Sequence, residues 1–312
     1  MWHAETDPAA NRVLAERWPG VPNLGDITTV DWHAVPDVDW LTAGYPCQGF
    51  SDAGKRLGVQ DDRYLWPEVA RAIRVVRPRF VLVENVPGHV RRGFTNVLNG
   101  LAAFGYLGSW VLVRASDVGA CHRRERLFAF AADAAALRKG AGWPTLREGR
   151  ERSGVIGGGT TTAGIAGAHP VLRLLKTPTA QLAVNGGSRH PDERRAGGHG
   201  PTLADEVERL IVEDPDGPYA PALAHWAAVV GRSAPSPVDR IHGAPPALAP
   251  RFEEWMMGLS DGYVTAVPGI GRSDAYRLLG NGVVPQQAAH AIRLLLARHT
   301  SAAACVMAAA QP

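Results

Sequence analysis

The stretch Phe80-Val81-Leu82-Val83-Glu84-Asn85 decides the fold of this chain. Four consecutive apolar residues, mostly β-branched or aromatic, are typical of a strand buried on both faces. The dipeptide Arg77-Pro78 ends an amphipathic helical pattern over residues 65–76 immediately before it. The sequence therefore predicts a helix, a buried strand and a polar strand end at Glu84.

Working outward from this strand, the same alternation continues on both sides. A short apolar run over residues 38–43 leads into Gly44-Tyr45-Pro46 and predicts an earlier buried strand that ends in a loop. A helix is predicted over residues 95–104, with further strands near residues 108–114 and 127–131. Such alternation indicates an α/β fold with a mostly parallel sheet covered on both faces. In these sheets ligands bind beyond the carboxyl ends of the strands, where Cys47 and Glu84 lie.

The two ends of the chain are also patterned. Asp7 is placed as an N-cap, with Pro8 at the first helical position and an expected end near Trp18-Pro19-Gly20. Residues 134–250 are dense in glycine and proline, and only residues 203–212 show helical spacing there. Regular structure is predicted again over residues 252–257, and a helix over residues 286–298. We therefore expect a catalytic and cofactor domain over 1–133, a smaller loop-rich domain over 134–250, and a return to the first domain over 251–312.

Composition sets limits on the function. The 312 residues are 46% hydrophobic and 20% charged, and the formal net charge of +3 permits a nucleic-acid partner without requiring one. The three cysteines, Cys47, Cys121 and Cys305, are far apart, so neither a disulfide framework nor a metal site is expected. No apolar run reaches the roughly 20 residues that span a bilayer. We expect a reduced, cytoplasmic protein that does not contact the membrane.

Two sequence elements carry candidate catalytic groups at strand ends. In Gly44-Tyr45-Pro46-Cys47-Gln48, the thiol follows a buried strand, where nearby cations would favour the nucleophilic thiolate. In Glu84-Asn85-Val86, burial at the end of an apolar strand would raise the pKa of the carboxyl and let it carry a proton. Taken singly, each residue is more simply read as a packed loop cysteine and a strand-end acid.

Two further elements bring polar groups from later in the chain. His122-Arg123-Arg124-Glu125-Arg126 opens a predicted strand, and strand alternation would point Arg124 and Arg126 to the same face, where two guanidinium groups could bind a phosphate or a carbonyl oxygen. Gly280-Asn281-Gly282 predicts a tight turn whose amides could hold a small ligand. A solvated edge strand and a plain helix-entry turn explain these two elements equally well.

Together, and in this order, the four elements resemble the motif pattern of the cytosine-5 DNA methyltransferases. That pattern comprises a Pro-Cys-Gln loop, a Glu-Asn-Val strand end, an Arg-x-Arg strand and a Gly-Asn-x-Val-x-Pro turn. The segment Gly25-Asp26-Ile27-Thr28 is similar to the family's adenine-binding turn. The resemblance covers residues 4–133 and roughly 249–296. It implies a Rossmann-like S-adenosylmethionine-dependent methyltransferase sheet with a loop-rich target-recognition domain.

The resemblance also implies roles for single residues. Cys47 would attack C6 of a cytosine flipped out of the helix, Glu84 would hold N3 and the exocyclic amine, and Arg124 and Arg126 would hold O2 and the adjacent backbone. The cofactor S-adenosylmethionine would contact seven residues: Glu5, Asp26, Ile27, Pro46, Leu65, Asn281 and Gly282. Contacts to DNA are expected from Gln48, Ser51, Lys55, Arg63, Arg189, Arg194 and Arg195.

One family feature is missing from this sequence. Members of the family usually begin with a strand and a Phe-x-Gly-x-Gly-Gly loop, whereas this chain begins at what resembles the second strand. We therefore expect an N-terminally truncated sheet. The alternative function that this motivates is a catalytically inactive, DNA-binding remnant of such an enzyme.

Two other classes of function are less consistent with the motifs. A cysteine hydrolase would need a histidine paired with Cys47 and has no use for the pair Arg124 and Arg126. An RNA cytosine methyltransferase shares the chemistry, but the long loop-rich insertion favours recognition of a DNA sequence. The expected partners are double-stranded DNA and a cognate restriction endonuclease of the same system. The protein is expected to act as a monomer, encoded by a bacterium or phage and associated with the nucleoid.

Overall fold

The computed structural model describes residues 1–46, 64–138, 172–185, 196, 200, 202–207, 214–240 and 247–309. Ten α-helices are described in these ranges: α1 (Pro8–Arg17), α2 (Trp66–Val76), α3 (Phe94–Ala103), α4 (Ala134–Arg138), α5 (Leu182–Asn185), α6 (Leu203–Glu206), α7 (Ala220–Val230), α8 (Pro250–Met256), α9 (Arg272–Asn281) and α10 (Pro285–Ala309). The strands in the same ranges are β1 (Trp40–Ala43), β2 (Phe80–Asn85), β3 (Tyr106–Arg114), β4 (Glu125–Asp133), β5 (Val238–Asp239) and β6 (Ala247–Leu248).

The main sheet has four strands in the order β1-β2-β4-β3. Strands β1 and β2 run parallel, whereas β4 is antiparallel to both β2 and β3. The expectation of a mostly parallel sheet is therefore wrong for this sheet, which is mixed. The reason is the connection between β3 and β4: it spans only residues 115–124, and so short a link returns the chain antiparallel rather than through a crossover helix.

Helices cover both faces of this sheet, as the sequence predicted. On one face Ile73 of α2 and Val97 of α3 pack against Val81 and Val83 of β2, and all four side chains are fully buried. On the other face Leu295 of α10 belongs to a cluster with Phe80, Phe128 and Phe130. Since alternate residues of β2 point to opposite faces, one apolar strand supplies both layers of the core.

A second core lies beside the sheet and joins distant parts of the chain. Trp226 of α7 and Trp255 of α8 are both fully buried in it, and the indole of Trp226 donates to the carbonyl of Trp255 at 3.0 Å. The cluster includes residues from 115 to 284, so the described parts of 134–250 share a core with the C-terminal helices. The predicted helix over residues 203–212 is described only as α6, because residues 208–213 lie outside the described ranges.

The N-terminal helix α1 forms as predicted. The Asp7 carboxylate accepts hydrogen bonds from the amides of Ala9 and Ala10, Pro8 takes the first position, and Trp18 is the C-cap. The remaining predicted helices and strands also form, with ends within a few residues of expectation, except that α10 continues to Ala309, eleven residues beyond its predicted end at Arg298. Among the described residues, no helix combines the length and apolar character needed to cross a membrane.

Candidate active site

The parallel strands β1 and β2 bring two predicted elements to one edge of the sheet. Ala43 at the end of β1 is paired with Val83, so the chain leaving β1 passes beside Glu84. A Cβ placed on Gly44 would lie 3.5 Å from Oε2 of Glu84, an ordinary contact distance. The loop that begins with Gly44-Tyr45-Pro46 and leads to Cys47 therefore starts against the Glu84 carboxyl.

Glu84 is paired with Arg126 across the sheet. Oε1 of Glu84 lies 3.1 Å from Nε of Arg126, and the two side chains are only 19% and 14% exposed. Phe128 is registered opposite Glu84, so Arg126, two residues earlier in β4, projects to the same face. Burial raises the pKa of Glu84, against the opposing effect of Arg126 and then Arg124. Burial therefore makes this carboxyl take up a proton more readily than an exposed carboxyl does.

Arg124 has a different environment from Arg126. Strand β4 begins at Glu125, and Arg124 precedes it with φ of 26°, so the alternation expected from the sequence does not extend to this residue. Its side chain is 2% exposed and donates to the carbonyl oxygens of Pro178 at 2.8 Å, Gly280 at 2.9 Å and Gly282 at 2.5 Å. This guanidinium thus joins the start of β4 to the end of α9.

The Gly-Asn-Gly segment ends a helix rather than forming a free turn. Gly280 and Asn281 are the last residues of α9, and Gly282 is its C-cap with an extended backbone. A Cβ on Gly280 would lie 2.1 Å from the amide nitrogen of Ala180, so only glycine permits this approach of two backbones. Asn281 is exposed and follows directly on the carbonyl that Arg124 holds.

The N-terminal cofactor candidates lie in two bonded turns. Oε1 of Glu5 accepts hydrogen bonds from the amides of Thr6 and Asp7, both at 2.8 Å. The Glu5 amide donates to Asn23, whose backbone forms a parallel bridge with His3. No hydrogen bond reaches Oε2 of Glu5 from the described part of the chain, so this oxygen can accept a bond from a ligand.

Asp26 and Ile27 lie in the second of these turns. Oδ1 of Asp26 accepts from both the amide and the hydroxyl of Thr28, and these bonds lower the pKa of the exposed Asp26 carboxyl. The carbonyl of Ile27 accepts from Arg71 at 2.8 Å. These bonds hold the Ile27 side chain half-exposed at a fixed place beside Asp26.

Two arginines that the sequence reasoning did not single out join these turns to the helices. Arg71 of α2 binds the carbonyls of Ile27 and Val30, and α2 has Leu65 as its N-cap. Arg277 of α9 forms an ion pair with Asp7. The turns with Glu5 and Ile27 are thereby attached to the elements that carry the other cofactor candidates, Leu65 and Asn281. The only sequence signal was a basic residue off the apolar side of a helix, which is usually a solvated residue.

Several predicted site residues lie outside the described residues. They are Cys47, Gln48, Ser51, Lys55, Arg63, Arg189, Arg194 and Arg195. Their roles stay predictions, as do the roles of Glu84, Arg124 and Arg126 in catalysis. Within the described ranges, no group of three or more histidine, cysteine, aspartate or glutamate side chains is placed to hold a metal ion.

This chain is similar in sequence to a known family and to known proteins. Residues 1–144 match the family model for C-5 cytosine-specific DNA methylase. The Type II methyltransferase M.NlaIV of Neisseria lactamica is 39% identical over 140 residues, which cover 41% of this chain and 33% of that protein. The Type II methyltransferase M1.ScrFI of Lactococcus lactis subsp. cremoris is 38% identical over 133 residues, 41% of this chain and 34% of its own length. The chain thus spans about a third of the length of these curated relatives.

The fold extends the likeness beyond the matched segment. The crystal structure of the S. pombe Dnmt2 methyltransferase superposes with a TM-score of 0.54 at 14% sequence identity. The superposition covers 95% of this chain and 90% of that one. The overall chain path is therefore similar to that of a known methyltransferase, and the described sheet agrees with the expected Rossmann-like methyltransferase fold.

Proposed function

We propose that this chain, whose residues 1–144 match the family model for C-5 cytosine-specific DNA methylase, methylates C5 of cytosine within a specific sequence of double-stranded DNA. The observation that carries the proposal is the shared edge of β1 and β2. There the loop that leads to Cys47 begins beside a buried carboxyl, Glu84, which is in turn paired with Arg126. A buried acid and a cation lie at the strand edge from which the chain leads to the proposed nucleophile, and addition to a cytosine ring requires these three kinds of group.

The chemistry explains why these three groups are needed. C5 of cytosine is a poor nucleophile until a nucleophile adds to C6 and interrupts the aromatic ring. The Cys47 thiolate forms the C6–S bond, and the electron pair of the C5–C6 double bond becomes available at C5. After the methyl group is in place, loss of the C5 proton to a base restores the double bond and breaks the C6–S bond, which releases Cys47.

Glu84 stabilises the charge that this addition creates. Negative charge develops on N3 of the ring as the sulfur adds, and a protonated Glu84 donates a hydrogen bond there while its other oxygen accepts from the exocyclic amine. The raised pKa of Glu84 supports this role, because burial makes the carboxyl take up a proton more readily than an exposed one. Arg126 holds the orientation of Glu84 and offers its remaining donors to O2 of the base.

The residues around the N-terminal turns fit S-adenosylmethionine, the cofactor of this family. A ribose diol needs a carboxylate oxygen that is free to accept, and Oε2 of Glu5 is free of hydrogen bonds within the described residues. Ile27 and Leu65 offer half-exposed apolar surface of the kind that binds an adenine ring. When bound, the cofactor supplies an electrophilic methyl group on a sulfonium centre.

Residues 134–250 are proposed as the region that recognises the DNA sequence. In this proposal Arg189, Arg194 and Arg195 contact DNA in the groove, and Gln48, Ser51, Lys55 and Arg63 contact it near the flipped base. The relatives named above are Type II methyltransferases, which favours a partnership with a restriction endonuclease that cuts the same sequence.

Transfer of tritium from labelled S-adenosylmethionine to unmethylated DNA of mixed sequence tests the proposal. We expect incorporation by the wild-type chain, no incorporation by Cys47→Ser, and full incorporation by Cys121→Ser. Cys121 is the matched control, because its thiol is completely buried and burial raises its pKa far above the usual value. Absence of transfer with DNA binding retained would contradict the proposed activity and favour a catalytically inactive DNA-binding protein.

A further inference from the structure

A buried hydrogen bond lies directly before the proposed nucleophile. The hydroxyl of Tyr45 is 2.7 Å from Nε2 of His89, and the two residues are 7% and 0% exposed. Tyr45 precedes Cys47 by two residues, and His89 follows Glu84 by five, in the short 3-10 helix Pro87–Arg91. This bond therefore joins the two chain segments on which the proposed chemistry depends.

The backbone of Tyr45 is held from the same segment. Nδ2 of Asn85 donates to the carbonyl of Tyr45 at 3.3 Å. The ladder between β1 and β2 ends at the pair Ala43 and Val83, so these two bonds continue the attachment after the ladder stops. Both anchors of Tyr45 come from the five residues that follow Glu84.

The same imidazole also contacts the chain where it returns at residue 64. The ring of Tyr64 lies 6.4 Å from the rings of both Tyr45 and His89, and Trp66 lies 6.1 Å from Tyr45. Phe94 of α3 packs edge-on against His89 at 5.8 Å. His89 lies at the centre of this aromatic cluster. It contacts residues that precede segment 47–63 in the sequence and residues that follow it.

The Tyr45–His89 bond joins two neutral groups. Burial lowers the pKa of His89 to about 4, and a hydrogen bond of the imidazole with the Arg92 backbone offsets this only in part. Burial likewise raises the pKa of the Tyr45 phenol well above its usual value. In either neutral tautomer of His89 one of the two groups donates and the other accepts, so the bond fixes position without adding charge to the site.

We infer that His89 is a positioning residue, which holds Tyr45 and through it the peptide carrying Cys47 at a fixed place relative to Glu84. The inference rests on the proposed function, since it assigns His89 a purpose in that reaction. Loss of the bond leaves the reacting groups present but less well placed. The rate of the chemical step then falls, while binding of DNA and cofactor is retained.

A double-mutant cycle tests the inference in the full chain. The variants are Tyr45→Phe, His89→Leu and their combination, with Tyr106→Phe as the matched control. Tyr106 is another buried tyrosine whose hydroxyl donates to a backbone carbonyl, that of Pro78, at 2.5 Å. Single-turnover methyl transfer at saturating DNA and cofactor should slow about tenfold in each single variant and no further in the double variant. KM for DNA should change less than about twofold, and Tyr106→Phe should match the wild type.

Two further measurements separate positioning from general stability and from the proposed activity. His89→Gln keeps a polar group near the place of Nε2 and should recover most of the rate that His89→Leu loses. Hydrogen exchange at the amides of Gly44 and Tyr45, which needs no activity, should accelerate equally in Tyr45→Phe, His89→Leu and the double variant.

Two outcomes would overturn the inference. One is that the two substitutions slow methyl transfer additively. The other is that Tyr45→Phe matches the wild type both in the rate of methyl transfer and in amide hydrogen exchange. A wild-type chain without methyl transfer would contradict the proposed function instead, and the exchange cycle would still decide whether the bond holds Tyr45. If His89→Leu does not fold, comparison of Tyr45→Phe with Tyr106→Phe decides alone.

Discussion

Arg124 and Arg126 are two residues apart in sequence but differ in burial and in binding partners. Arg126 lies in β4, remains partly exposed and meets a carboxyl that also has a place in the proposed chemistry. Arg124 lies just before the strand with a positive φ, is almost completely buried and donates through its terminal nitrogens to three backbone carbonyls. An Arg-x-Arg motif can therefore combine one residue of the candidate site with one residue that stabilises the surrounding fold.

This comparison separates stability from activity. A buried guanidinium that satisfies three carbonyls contributes to the folded state, because its removal leaves those groups without partners. The Arg126 guanidinium, which is paired with an acid of raised pKa, contributes less, because that acid can take up a proton when the cation is removed.

Arg124→Ala should have the largest effect on stability. We expect the free energy of unfolding to fall by about 4 kcal/mol, since three buried carbonyl groups lose their donor. Urea unfolding followed by fluorescence of the nine tryptophans measures this. Arg126→Ala is the control, with an expected loss of about 1 kcal/mol or less. Equal losses of unfolding free energy in the two variants would contradict the assignment of Arg124 to fold stability and of Arg126 to the candidate site.

Glu84→Gln should mainly affect activity. The amide keeps the shape of the side chain but cannot supply the proton that a carboxylic acid donates to N3. We expect methyl transfer to slow about a hundredfold to a thousandfold, with the unfolding free energy unchanged or slightly higher. Single-turnover kinetics and urea unfolding on the same preparation measure the two quantities. A variant that unfolds more easily and transfers methyl groups normally would assign Glu84 to the scaffold instead.

Neighbouring glutamates in α8 extend the comparison to acids. Glu254 accepts from the amides of Gly262, Val264 and Thr265 and from the Thr265 hydroxyl. Glu253 is fully buried, its two oxygens accept no hydrogen bond within the described residues, and burial raises its pKa well above the usual value. Glu254→Gln should therefore cost about 2 kcal/mol. Glu253→Gln should be nearly neutral at pH 7, and thermal unfolding of the two variants decides between these outcomes.

Arg277→Ala should have only a small effect at neutral pH, because the ion pair with Asp7 is about one-third exposed. We expect a loss of about 1 kcal/mol or less. Burial acts to raise the pKa of Asp7, but the amide of Ala10 and the Arg277 side chain together hold it below its ordinary value. An acid with a lowered pKa stabilises the fold above its unfolded-state pKa, and this contribution disappears as the pH falls through the folded-state value.

Acid titration of stability therefore checks the Arg277 prediction. The wild type should lose stability below about pH 4, and Asp7→Asn should lose less over the same interval, because it has no carboxylate to protonate. If both proteins lose stability in parallel, the Asp7–Arg277 pair does not contribute to it.

The sequence predicted strands β1 and β2, which position the candidate site, and it predicted that candidate site residues follow each strand. Apolar runs bounded by Arg77-Pro78 and Gly44-Tyr45-Pro46 specify β1, α2 and β2 locally, and a capping aspartate with a following proline specifies α1. These features depend on residues adjacent in the chain, so they can be read without the fold.

What the sequence did not predict depends on distant contacts. The antiparallel pairing of β3 and β4 follows from the short connection between them. The alternation of strands and helices in the sequence does not indicate the direction of this pairing. Helix α7 was missed because it is apolar almost throughout and therefore lacks a helical period, and Trp226 fixes it in the second core. Helix α9 was missed because charged residues and a glycine weaken its apolar pattern. The burial of Arg124 depends on carbonyls more than fifty residues away. No local pattern distinguishes such an arginine from Arg126.

The most direct test of the account is covalent trapping on DNA in which 5-fluorocytosine replaces every cytosine, so that any recognition sequence is covered. Fluorine at C5 cannot leave as the proton does, so the C6–S bond to Cys47 should persist after methyl transfer. The account predicts a denaturation-resistant complex that requires S-adenosylmethionine, disappears in Cys47→Ser and forms normally in Cys121→Ser. A complex that survives Cys47→Ser, or no complex with a wild-type chain that binds this DNA, would contradict it.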